Sequence, residues 1–352
     1  DIWERGAHNN DLALETLERA FILQTTDESV RAEMERLARE GDRWDQVCQI
    51  YLRAAEREGH AESVALQLRV AQLREDLGQI ALAEERYRKV IVLETDNPIA
   101  VGRLEEMYRT QERWADLAQV LERRITVPGG RLEGAEARSR AFELAELYEK
   151  RLERPYEAVD TLERYVASAE EEERGLAAGD PRTSALAVEA RTGYAALARL
   201  YGRVGMAQKA AAALQRELEL TGEEEDARQA RWRLAEIYER ELSLPARAVD
   251  IYEDILKRAP QDGEALAALD RLQQAMGRFE ALADVLRRRA EITEGAEKTE
   301  LVWRRARILE EKLGNPEAAA ACLRSLGSDA LSDERTAAAL LRNLRSAGLA
   351  HE

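Results

Sequence analysis

Three stretches decide the fold: Leu147-Tyr148-Glu149-Lys150-Arg151-Leu152-Glu153-Arg154-Pro155-Tyr156-Glu157-Ala158-Val159, Ile237-Tyr238-Glu239-Arg240-Glu241-Leu242-Ser243-Leu244-Pro245-Ala246-Arg247-Ala248-Val249 and Ile308-Leu309-Glu310-Glu311-Lys312-Leu313-Gly314-Asn315-Pro316-Glu317-Ala318-Ala319. They are one unit written three times: an apolar pair, a charged run of helix formers, a proline, and a small residue shortly after it. Upstream of the first two, Leu144-Ala145-Leu147-Tyr148 and Leu234-Ala235-Ile237-Tyr238 place apolar side chains on one face of a helix. The prolines (Pro98, Pro128, Pro155, Pro181, Pro245, Pro260 and Pro316) and glycines such as Gly41, Gly59, Gly78, Gly222, Gly277, Gly295 and Gly314 fall between amphipathic stretches. That is how helix starts and stops are marked. No stretch alternates with the period of a strand, so the chain is read as all-α.

A second unit alternates with the first. It reads Arg43-Trp44, Arg113-Trp114 and Arg278-Phe279, each followed three residues on by Val47, Leu117 or Leu282. The small residue of the first unit recurs at Ala13, Ala83, Ala158, Ala248 and Ala319. The implied repeat is about 35 residues, doubled to about 70, the period of a stacked helical array. The longest gap, between Ala158 and Ala248, holds the acidic run Glu170-Glu171-Glu172-Glu173 and the breakers Gly175, Gly179 and Pro181. An extended helix end and an exposed loop are expected near 170–183.

This pattern resembles the tetratricopeptide repeat (TPR), a helix–turn–helix of about 34 residues. Leu234-Ala235…Tyr238, Leu144-Ala145…Tyr148 and Leu197-Ala198…Tyr201-Gly202 match its first helix, and Ala158, Ala248 and Ala319 its second. Pro98 and Pro260 stand where a following repeat opens. The second unit departs from the family by carrying Val47, Leu117 and Leu282 where Ala is usual. The resemblance implies a right-handed α-solenoid of antiparallel helical hairpins, TPR-like and alternating. It would run over 1–352 as a single continuous solenoid of about nine hairpins, with a clipped helix at each end. Long bacterial multi-repeat scaffolds are similar. The chain opens on Asp1-Ile2-Trp3 and ends just after an amphipathic stretch, at Leu349-Ala350-His351-Glu352, and is read as a segment of such a protein.

Composition narrows the chemistry. A net charge of −16, from 53 Lys and Arg against 69 Asp and Glu, disfavours nucleic acid as a partner. The longest aliphatic run, Val90-Ile91-Val92-Leu93, is too short to insert in a membrane. Cys48 and Cys322 are too few for a disulfide framework and read as small buried hydrophobes, and a cytoplasmic location is expected. His8, His60 and His351 are scattered, no Gly-rich phosphate loop or Gly-x-Ser-x-Gly elbow occurs, and Glu-x-x-His is missing. Carboxylates such as Glu33 and Glu236 lie at helical spacing from Arg36 and Arg240, as on solvated helix faces. No catalytic residue, metal ligand or cofactor is expected.

The resemblance also supplies a candidate surface, because in that family the first helix of each hairpin faces the ligand. Counting from Tyr148, Tyr238 and Leu309 places Phe142, Trp232 and Trp303 at one groove-facing position, with Glu146, Glu236 and Arg307 nearby. A file of aromatics in a mostly acidic groove fits a basic or helical segment of a partner protein or peptide. Trp44, Trp114 and Phe279 are expected inside the hairpins instead. The function expected is that of a non-enzymatic protein–protein interaction scaffold. The alternatives are a regulatory or recognition module of a larger enzyme or signalling assembly and, less favoured, a helical toroid enzyme. Apolar solenoid ends would also let such a chain self-associate.

Overall fold

A computed structural model describes residues 10–126, 134–221, 226–327 and 334–348. Pro128, Gly222, His8, His351 and both chain ends lie outside the described residues. Those residues hold helices and turns and no strand. They divide into two compact units, Asp1–Gly175 and Leu176–Glu352, so the boundary falls within the 170–183 insertion. The N-terminal unit contains α1 (Asn10–Leu23), α2 (Glu28–Gly41), α3 (Trp44–Ala55), α4 (His60–Asp76), α5 (Ile80–Leu93), α6 (Pro98–Thr110), α7 (Trp114–Thr126), α8 (Gly134–Lys150) and α9 (Pro155–Gly175). The C-terminal unit contains α10 (Arg182–Arg203), α11 (Ala207–Thr221), α12 (Asp226–Glu236), α13 (Pro245–Arg258), α14 (Gly263–Ala275), α15 (Phe279–Ile292), α16 (Gly295–Glu311), α17 (Pro316–Arg324) and α18 (Glu334–Ser346).

The local chemistry of the hairpins repeats closely. Each first helix (α2, α4, α6, α8, α10, α12, α14, α16) is followed by a second helix after a very short turn, which makes the two antiparallel neighbours. In every one of these turns the residue two before the second helix has positive φ: Asp42, Gly78, Glu112, Glu153, Gly205, Ser243, Gly277 and Gly314. That left-handed residue lets the next N–H reach back to an orphan carbonyl of the helix. Five turns close over the same span: Arg43 N–H donates to Ala38 O at 2.9 Å, Gln79 to Arg74 O, Arg113 to Tyr108 O, Met206 to Tyr201 O and Arg278 to Gln273 O. The other three are one residue longer, with Arg154 N–H reaching Tyr148 O, Leu244 reaching Tyr238 O and Asn315 reaching Leu309 O. These longer turns belong to the unit quoted first above. In α12 the extra residue is absorbed as a π-helical turn, Ile237–Glu241.

Proline and small residues act where the spacing predicts. Pro155, Pro245 and Pro316 are the first residues of α9, α13 and α17, where a missing N–H costs nothing. Ala83, Ala158, Ala248 and Ala319 are fully buried on the second helices, as are Tyr51, Tyr87 and Tyr252 there and Tyr108 on the first helix α6. A single hairpin has too little apolar surface for a core of its own, so burial between hairpins supplies the stability. Cys48 and Cys322 are buried free thiols whose pKa values burial pushes up.

The 170–183 insertion has a specific form. Arg138 on α8 donates to Glu172 at 2.6 Å, and ninety positions on Arg228 on α12 donates to Asp262 at the same distance. Asp262 is the N-cap of α14, whereas Glu172 sits inside α9. The second helix of the α8/α9 hairpin thus continues through the position where α13 has already ended. The four-glutamate run is therefore helical, and only 176–181 are non-helical.

A side chain at positive φ carries a steric cost that glycine lacks. Glu112 and Glu153 are both exposed, so the variant Glu112→Gly/Glu153→Gly is expected to gain about 1 kcal/mol in total, read as a higher melting temperature. An unchanged or lower melting point would contradict this account of the turns.

Candidate functional site

The first helices are tied to one another by ion pairs at the repeat distance. Arg69 Nε on α4 donates to Glu35 on α2 at 2.8 Å, and Arg109 on α6 donates to Glu143 on α8 at 2.7 Å. In the C-terminal unit Arg304 on α16 donates to Asp270 on α14 at 2.8 Å. Each of these pairs spans 34 residues, the length of one hairpin. The neighbouring rungs, Arg271 to Glu239 and Arg342 to Glu310, span 32. The array is tetratricopeptide-like.

No protein-family model matches the chain, and no curated protein does so. Among solved structures, that of MamA is 15% identical with a TM-score of 0.34, covering 54% of this chain and 94% of its own. The TPR-like repeats of a putative kinesin light chain from Podosopora anserina are 20% identical, cover 55% of this chain and 93% of their own, and have a TM-score of 0.36. YrrB, described as a TPR protein with an unusual peptide-binding site, is 15% identical with a TM-score of 0.31, covering 60% of this chain and 97% of its own.

Two carboxylates anchor these ties from within. Glu105 and Asp270 are each 5% exposed. Glu105 accepts from Arg124 of its own hairpin and from Arg109, both at 3.2 Å, and Arg140 of the next hairpin stands 3.6 Å away. Asp270 accepts from Arg289 of its own hairpin at 2.5 Å and from Arg304 of the next. A buried carboxylate must be paired to be tolerable, so each site fixes three helices together. Glu35, Glu105 and Asp270 all precede the Arg-aromatic pair of the second unit by eight residues. That recurrence was the available signal; carboxylates at helical spacing from arginine hid it.

The six candidate residues fall in both units. Phe142 and Glu146 lie on α8, in the N-terminal unit; Trp232 and Glu236 lie on α12, Trp303 and Arg307 on α16. Phe142 is half-buried with its ring 5.7 Å from Tyr165 of α9, and Trp232 is half-buried edge-on to Tyr252 of α13 at 4.9 Å. Burial, then the Glu239 and Glu236 carboxylates, pushes the Tyr252 hydroxyl to about 12. Trp303 packs on the core of its unit and carries the Arg335 guanidinium over its ring at 4.6 Å. The aromatics therefore contribute to the hairpins as well as to the surface. Glu146 is paired with Lys150 at 2.5 Å and Glu236 with Arg240 at 3.5 Å, while Arg307 is exposed. Trp114 and Phe279 are half-buried, each under a cation from the end of the next first helix, Arg151 at 4.9 Å and Lys312 at 5.5 Å.

One hollow of about 400 Å³ opens in the N-terminal unit among Ala137, Ala141, Leu144, Thr161 and Tyr165. The internal repeat explains it. Ninety positions after Ala141, at the equivalent repeat position, stands Arg231, whose larger buried side chain donates to Asp254 at 2.8 Å. Among the described residues, no group of three or more His, Cys, Asp and Glu is arranged to hold a metal ion.

Two outcomes follow. Filling the hollow with Ala141→Leu is expected to stabilise the fold by about 1 kcal/mol in denaturant unfolding, since added apolar contact replaces void. Acid should loosen the ties. The hydrogen bond from Arg342, with a second from Asn343, holds Glu310 below the usual carboxylate range. At Glu143 burial raises the pKa, but hydrogen bonds from Arg140 and Arg109 outweigh it and the net shift is downward. Depressed folded-state values add stability above the ordinary carboxylate pKa that is lost as the pH falls through the folded value. Melting temperatures should thus be flat from about pH 8 to 6 and fall below about pH 4.5. A flat profile down to pH 3 would show that these pairs add nothing.

Proposed function

We propose that this chain is a non-enzymatic scaffold whose first-helix faces hold a segment of a partner protein, either an extended peptide or a helix. The observation that carries the reading is the tie between first helices. Those pairs hold successive helices in fixed register, which pre-organises the side chains between them and lowers the entropy cost of binding. Half-buried Phe142, Trp232 and Trp303 supply anchors held by the second helix, and Glu146, Glu236 and Arg307 supply polar contacts one turn further on. The two buried free thiols fit a reducing compartment, so the protein is read as cytoplasmic. No helix among the described residues is long and apolar enough to cross a membrane.

The test uses surface positions, because truncating Trp232 or Trp303 also removes core packing. Wild-type protein and a Glu146→Lys/Glu236→Lys/Arg307→Glu variant are used for affinity capture from native lysate, with mass spectrometry as the readout. A partner held by the wild type and depleted at least tenfold by the variant is expected. Equal retention by a variant of unchanged helicity would move the contact off the first helices.

A further inference from the structure

The ties between first helices in the C-terminal unit are lopsided. In the Arg271–Glu239 pair the side chains are 56% and 10% exposed, in Arg304–Asp270 31% and 7%, and in Arg342–Glu310 62% and 24%. The carboxylate is each time withdrawn between helices, and the guanidinium lies over it toward solvent. Arg271 and Arg304 line one hollow, and Arg304, Arg307, Arg335 and Arg342 line the next, so Arg304 joins the two. Among the described residues Arg307 and Arg335 make no ion pair, although Glu300 lines the same hollow; Arg335 rests on the Trp303 ring. At the floor of the second hollow the amide of Asn343 is oriented by its donations to Glu310 and Ala339 O, which leaves its buried Oδ1 without a donor. A chain with sixteen excess negative charges thus turns a row of arginines outward on one face.

We infer that the row Arg271, Arg304, Arg307, Arg342 and Arg335 is a docking surface for an acidic, extended segment of a partner protein. Guanidinium groups bind carboxylates bidentately, and the free acceptor on Asn343 suits a backbone N–H, which a peptide has and a phosphate chain lacks. Spacing narrows the ligand. Helices that exchange direct ion pairs lie about 8–10 Å apart. An extended chain covers about 10 Å in three residues. Acidic residues three apart therefore fall in step with Arg271 on α14, Arg304 and Arg307 on α16, and Arg342 on α18. The inference rests on the first helices being the partner surface, and it names the chemistry there.

The test is fluorescence anisotropy with the whole chain and a labelled ten-residue peptide carrying Glu at every third position among Gly and Ser. Comparison probes are the same peptide with Lys for Glu, one with the glutamates in a block, and a single-stranded oligonucleotide of equal charge. The spaced acidic peptide is expected to bind tightest and to weaken as salt rises. Arg307→Ala/Arg335→Ala, which breaks no ion pair, is expected to cost roughly tenfold in affinity with unchanged circular dichroism. Equal binding of the lysine peptide, or no effect of the double variant, overturns the inference. Oligonucleotide binding as tight as the peptide's would make the row a general polyanion site and overturn the choice of a protein ligand. Blocked glutamates binding equally well would overturn the register. If the spaced peptide fails while lysate capture still depends on the first-helix residues, this inference falls and the scaffold reading stands.

Discussion

Among the described residues, each first helix turns into its second through a single residue of positive φ, and that turn sets the geometry of the hairpin. A left-handed residue followed by one backbone hydrogen bond closes the first helix and launches the second with almost no freedom in between. The turn sets the two helices of a hairpin relative to each other, and the seating of one hairpin on the next sets the register between them. With that seating Arg69 reaches Glu35, Arg109 reaches Glu143 and Arg304 reaches Asp270 at one common separation. The turn chemistry tolerates several residues: glycine at Gly78, Gly205, Gly277 and Gly314, but Asp42, Glu112, Glu153 and Ser243 elsewhere.

The doubled period has a structural counterpart in these turns. The three hairpins whose second helix opens on proline close over one residue more than the other five, and the Arg-aromatic hairpins are among those five. At Trp114 and Phe279 the aromatic lies under a cation from the next hairpin, a contact favoured both by the ring and by the helix end that carries the charge. Repetition also makes the exceptions readable. Ala141 stands where the other unit carries the larger Arg231, and Glu172 inside α9 keeps the partner that Asp262 provides from a cap.

Much of the candidate surface was legible as composition and not as geometry. Phe142, Trp232 and Trp303 share a repeat position, and all three are half-buried. Their engagement with Tyr165, Tyr252 and Arg335 depends on residues 20 or more positions away that no local pattern connects. The glutamates raised a similar problem. Glu239 and Glu310 read as an acidic face by count, but the sequence does not say which member of an ion pair is drawn inward. An arginine has a long stem that can reach over a shorter carboxylate to solvent, and in each of the pairs Arg271–Glu239, Arg304–Asp270 and Arg342–Glu310 the more exposed member is the cation.

The sequence by itself determined the helical class, the hairpin period, its alternation and the position of the irregularity near 170–183. Those follow from local rules: apolar spacing along a helix, proline at its start, a residue able to turn at its end. Only the tertiary structure decided which charges meet, which of each pair is buried, and where Ala141 leaves space. Pairing across 34 residues is set by how one hairpin seats on the next, and burial by which side chain is long enough to climb out of the seam. Neither quantity is a property of any single stretch of chain.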